Sequence, residues 1–89
     1  MKAVITVIGY DKVGIIASVA TILSEAGINI LDISQTIMQD MFTMIMLVNI
    51  GKCTESFDSI SKKLDKAGEE LGMSIRIQHE EVFKSMHRI

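Results

Sequence analysis

The chain has 89 residues, 48% of them apolar and 22% charged, with a formal net charge of −2 and a single cysteine. That length supports one domain with a real core, near the size at which a second subunit often adds stability, and the balance is globular rather than disordered. The small negative charge argues against nonspecific binding to nucleic acid or anionic membranes, both of which favour a basic patch, and the lone Cys53 leaves no intrachain disulfide.

Lys2–Ile8 reads as a strand with apolar residues on both faces, Val4 and Ile8 on one and Ala3, Ile5 and Val7 on the other. A doubly apolar strand belongs in the middle of a sheet. The run is too short for a signal peptide or a membrane span and stops at Tyr10-Asp11-Lys12, so no targeting segment is expected and the cytoplasm is the expected compartment. A helix is expected over roughly Val13–Ala26, with Ile15, Ile16, Val19, Ala20, Ile22, Leu23 and Ala26 at helical spacing. Asp11 or Lys12 lies near its start, and Gly27 stops it by taking the left-handed conformation.

Ile28–Gln39 is the second strand, with Leu31, Ile33 and Ile37 facing one way and Asp32, Ser34 and Thr36 the other. Such alternation suits an edge. Gln39-Asp40 makes a tight connection to Phe42–Ile50, where Phe42, Met44, Met46 and Val48 oppose Ile45 and Leu47. This third strand is doubly apolar and therefore central. Thr54 or Ser56 can cap a second helix that runs to about Leu71 on the stripe Phe57, Ile60, Leu64, Ala67 and Leu71. Met73–Glu80 alternates cleanly as the other edge, and Glu81–Ile89 has the spacing of a short C-terminal helix.

Two β-α-β halves joined by a hairpin give an α+β, ferredoxin-like βαββαβ sandwich. The sheet is four-stranded and antiparallel, in the order 4-1-3-2. Right-handed crossovers place both helices on one face. Residues 1–89 then form one domain with 81–89 as a helical tail. The open face keeps apolar residues from strands one and three, and a patch of that kind marks an interface that the tail or a second subunit can cover.

Several chemistries find no support. No catalytic pair is visible, and Cys53 has no nearby base in its loop. His79 and His87 lack a partner at metal-ligand spacing, so neither a metal nor a cofactor is expected. Met38, Met41, Met44 and Met46 could form a soft thioether site, but packing of an adaptable interface explains them better. An RNA-recognition surface would want more exposed aromatics than Tyr10 and Phe42, and a metal chaperone would want C-x-x-C in the first loop.

The loop before the first helix carries two readings. Backbone N–H groups at Gly14 and Ile15 can hold a ligand carboxylate at the positive helix end, with Asp11 pairing an ammonium group and Lys12 at the rim. Alternatively Asp11 is a helix cap and Gly14 permits close helix–strand packing.

The segments Asp11-Lys12-Val13-Gly14-Ile15 and Gly27-Ile28-Asn29-Ile30, with Leu23 between them, resemble the ACT domain, a small regulatory module that binds amino acids and similar effectors. The family's loop reads D-[RK]-P-G-[IVL], and Val13 stands where it has proline. The loop is also similar to the ACT units of glycine-cleavage regulators and formyltetrahydrofolate hydrolases. What the resemblance implies is a ligand touched by Asp11, Lys12, Gly14, Ile15 and Asn29. Asp11 and Asn29 stand at opposite ends of a helix roughly 20 Å long and cannot meet within one chain. The resemblance therefore implies a homodimer paired side by side through the second strand, with the effector across the seam. Some amino-acid-binding members carry a polar side chain at the position of Gly9, and this chain has none. The resulting expectation is a non-enzymatic regulator of a separate protein. The alternative is an assembly dimer with no ligand.

Overall fold

The computed structural model of the chain describes residues 1–10 and 14–86. Its elements are β1 (Lys2–Tyr10), α1 (Ile15–Glu25), β2 (Asn29–Met38), β3 (Met41–Asn49), α2 (Phe57–Leu71), β4 (Ser74–His79) and α3 (Glu80–Met86). The four strands form one sheet in the order β2-β3-β1-β4, antiparallel at every pairing. This is the expected ferredoxin-like arrangement. Residues 87–89 of the expected tail helix, His87 among them, lie outside the described residues.

The core forms where β1 meets both neighbours. Ala3, Ile5 and Val7 sit opposite Val48, Met46 and Met44 of β3, and Ile5 and Val7 also oppose Ile77 and Ile75 of β4. Opposed residues of an antiparallel pair share a face. All of these side chains are buried, and Ile15, Val19 and Leu23 of α1 and Ile60 and Leu64 of α2 complete the cluster. Each fully buried aliphatic side chain contributes about 1.5–3 kcal/mol relative to exposure. Met44 and Met46 are thus core residues, while Met38 and Met41 stay exposed at the hairpin.

Both main helices end on glycine. Gly27 takes φ 74, its N–H bonds Ser24 O at 3.1 Å, and Ile28 N bonds Leu23 O at 2.9 Å. That bond pair is a Schellman motif, and it satisfies carbonyls that the helix leaves open. Thr54 is not the cap of α2. Its N–H and hydroxyl both reach Ala26 O, at 2.9 and 3.3 Å, and tie the β3–α2 loop to the end of α1. Ser56 is the cap, accepting Ser59 N–H at 3.1 Å.

One expectation needs correction. The alternation of the second strand slips, because the register shifts between Ile30 and Asp32 and leaves Leu31 without an opposite residue. An extra residue at a bulge resets which side chains face which way. Ile30, Ile33 and Ile37 oppose Val48, Met46 and Phe42 and share their face, and Leu31 does not belong to that row.

The open face of the sheet is only partly covered. Val4 lies there opposite Leu47 and Gln78, yet it is buried. The tail helix α3 packs against β1 and β4. Ile8, Tyr10, Met41 and Ile45 remain exposed.

Candidate functional site

The edge strand β2 is exposed at every residue. Cover is uneven along the strand, with Ile30, Leu31 and Ile33 each less than half exposed and the hairpin end more open. Ile33 is 40% exposed, Ile37 60% and Met38 71%. Edge strands that keep an apolar row and a free backbone edge are templates for pairing with another chain.

A groove of about 500 Å3 runs beside this strand. Its walls are Gly14, Ile15, Ile16, Ala17 and Ala20 of the α1 start, Gln35 and Ile37 of β2, and Phe42 of β3. Gly14 is the N-cap residue of α1, at φ 87 and ψ 0. A Cβ at this position would meet no described atom within 4 Å. Glycine is therefore used here for its left-handed backbone, not for close helix–strand packing, which corrects one of the two sequence readings. No acidic side chain occupies the first turn of α1. Ile15 is buried beneath the groove, and its backbone N–H lies in the first turn of the helix, where no intrahelical acceptor serves it. Asp11 and Lys12 lie outside the described residues.

Asn29 stands at the other end of the same strand. It is opposite Asn49 in the β2–β3 register. With Gly27, Asn49 and Lys52 it lines a polar pocket of about 340 Å3. The 11 residues of α1 separate it from Gly14, a rise of about 16 Å. One chain does not bring the two together. Asn49 and Lys52 were missed by sequence reasoning. Only the Asn29–Asn49 pairing joins them to the predicted position, and no short motif announces that.

Gly9 has a structural explanation. A Cβ there would lie 2.8 Å from Met73 Cγ and 3.0 Å from Met73 Cε. The volume that a polar side chain would occupy is filled by the Met73 thioether, a flexible gap-filler.

A third cavity of about 180 Å3 lies under the α2 start, lined by Cys53, Glu55, Phe57 and His79 among others. The His79 ring stacks on Phe57 with centroids 4.2 Å apart and 14° between planes. Cys53 Sγ donates to Glu55 O at 3.1 Å. The Glu55 carboxylate accepts from Lys63 Nζ at 2.7 Å and from Ser59 Oγ at 2.8 Å. Those bonds, Lys63 first, hold its pKa below the ordinary 4.5. Among the described residues no group of three or more His, Cys, Asp or Glu is placed to hold a metal ion. No described helix is long and apolar enough to cross a membrane.

The ACT domain family model matches residues 2–78. The chain belongs to the ACT domain family. Members are typically small-molecule-binding regulatory domains. A UPF0237 protein of Clostridium acetobutylicum is 61% identical over 89 residues, covering 100% of both chains. The solved ACT domain protein from Streptococcus pneumoniae superposes with a TM-score of 0.79 at 39% identity, over 94% of each chain. A putative glycine cleavage system transcriptional repressor shares the fold, with a TM-score of 0.72 at 24% identity, over 86% of this chain and 44% of that one.

Proposed function

We propose that this ACT domain is a non-enzymatic cytoplasmic regulator that pairs through β2, binds an amino acid or similar metabolite across the seam, and thereby alters its grip on a separate protein. The observation that carries this reading is the exposed β2 edge with the apolar groove beside the α1 N-terminus. Antiparallel pairing of β2 with its own copy sets the Ile37 end of one strand beside the Asn29 end of the other. A two-fold axis does this twice, so each dimer holds two equivalent sites.

The parts then take these roles. N–H groups at Gly14 and Ile15 receive the ligand carboxylate at the helix N-terminus. Asp11 pairs the ammonium group, Lys12 adds charge at the rim, and Asn29 of the partner subunit closes the site. Ligand and pairing are linked, because a ligand that touches both subunits favours the paired state.

Thermal unfolding against a panel of common amino acids, nucleotides and folates tests the reading, with light scattering on the same samples. A ligand at about 100 times its dissociation constant adds about 2.7 kcal/mol, a midpoint rise of several degrees or more for a domain this small. Asp11→Ala and Asn29→Ala should each remove that rise and leave the unliganded midpoint nearly unchanged. A clean dimer that responds to no compound would favour the assembly protein instead, a reading that the Met73-filled space above Gly9 also suits.

A further inference from the structure

We infer that the polar pocket of Asn29, Asn49 and Lys52 is an anion receptor that makes the seam selective for an acidic amino acid, one with a second carboxylate of aspartate or glutamate size. This rests on the seam reading above and names its ligand class.

The pocket is lined by Gly27, Asn29, Asn49 and Lys52, with no carboxylate among them. Asn49 Oδ1 accepts the Gly51 N–H at 2.8 Å. That bond assigns the carboxamide's oxygen and leaves both Nδ2 hydrogens for another acceptor. The Asn29 carboxamide makes no hydrogen bond among the described residues, and no described carboxylate pairs with Lys52. The pocket therefore offers a cation and several N–H donors with no internal counter-charge. An anion satisfies that set, and charge-assisted hydrogen bonds are the strong kind.

The seam gives the anion its place. In the paired arrangement the Gly14 helix start of one subunit lies toward the Asn29 end of the other strand. One positive end comes from backbone N–H groups and the other from Lys52 of the partner subunit. Ile16, Ala20 and Ile37 form the apolar wall between them. A ligand with a neutral side chain leaves the second end to water. An acidic amino acid uses both ends and lays its short methylene chain along the wall.

Calorimetric titration of the full chain with L-aspartate, L-glutamate and their amides L-asparagine and L-glutamine tests this. Each acid should bind the wild type at least about tenfold more tightly than its amide, a difference of about 1.4 kcal/mol. Lys52→Gln should abolish the preference and Lys52→Arg should retain it. Asn49→Asp keeps an acceptor for Gly51 N–H but replaces donors with charge, so it should abolish binding of the acids while the fold and the dimer persist. Equal affinity for acid and amide overturns the inference, as does an undiminished preference in Lys52→Gln. In either case, binding that Asn29→Ala removes leaves the seam itself standing. Failure of all four amino acids to bind also overturns the inference, and the wider compound panel then decides whether the seam reading falls with it.

Discussion

Replacing Gly68 with alanine should destabilise the fold, although helix propensity alone says the opposite. Gly68 is a buried interior residue of α2. In a solvent-facing helix the change would stabilise by about 1 kcal/mol. Here an added Cβ would sit 2.6 Å from Met73 O, a backbone atom, and 3.4 Å from both Ile75 N and Ile75 Cγ1. The same two residues are already tied, since Met73 N bonds Gly68 O at 2.8 Å. Relief needs the helix and the start of β4 to part by about 0.8 Å, which strips contacts from Ile60, Leu64 and Ile75 below. Forced overpacking costs about 1–3 kcal/mol, and a backbone clash belongs at the upper end. After the propensity gain a net loss of about 2 kcal/mol remains. At about 4–8 °C per kcal/mol for a domain of this size, the midpoint should fall by about 8–16 °C. Circular dichroism melts and urea titrations would measure it. Gly72→Ala is the control, because Gly72 has φ 69 but open space around it, so only the conformational cost of about 1–2 kcal/mol applies. A Gly68→Ala protein as stable as the wild type would refute the close approach of α2 to β4.

Three other outcomes follow from the same geometry. Ile33→Lys on the exposed edge should convert a scattering dimer into a monomer without lowering helix content, and an unchanged particle size would remove β2 from the interface. Gln39 holds φ 56 in the β2–β3 turn, so Gln39→Gly should gain about 1 kcal/mol, and an unchanged or lower melting midpoint would count against strain there. The Glu55 pKa is lowered from 4.5 by Lys63 and Ser59. Its stabilisation is therefore present above pH 4.5 and lost as the pH falls through the lower folded value. Glu55→Gln should flatten that acid limb of a stability–pH curve, while an identical limb in both proteins would mean the carboxylate is not held in solution.

Much of the architecture was legible because periodicity reports burial directly. Ala3, Ile5 and Val7 against Val4 and Ile8, and Phe42 through Val48 against Ile45 and Leu47, marked the two central strands correctly. Gly27 and Gly72 marked helix ends for a local conformational reason. The bulge at Leu31 was not legible, since a single residue slip leaves composition and spacing almost unaltered. The role of Gly14 was half legible. A glycine before a helix signals either positive φ or close packing, and only the empty space around it chose between them. Of the proposed site, Asn29 stood out through the Gly-Ile-Asn-Ile segment. Asn49 and Lys52 did not, because strand pairing rather than sequence proximity sets them beside it.

The element order, the central strands, the glycine-marked helix ends and the family can all be read from the residues in order. Each follows from near-neighbour chemistry, in side-chain period, glycine conformation and a short motif. Tertiary structure alone decided three further things. It left every residue of β2 exposed, because the two main helices bury their apolar stripes with β1, β3 and β4. It placed Met73 over Gly9. It put Lys52 and Asn49 beside Asn29. These are contacts between residues far apart in the chain. Their geometry comes from how layers stack and strands register, and no local pattern of residues encodes that.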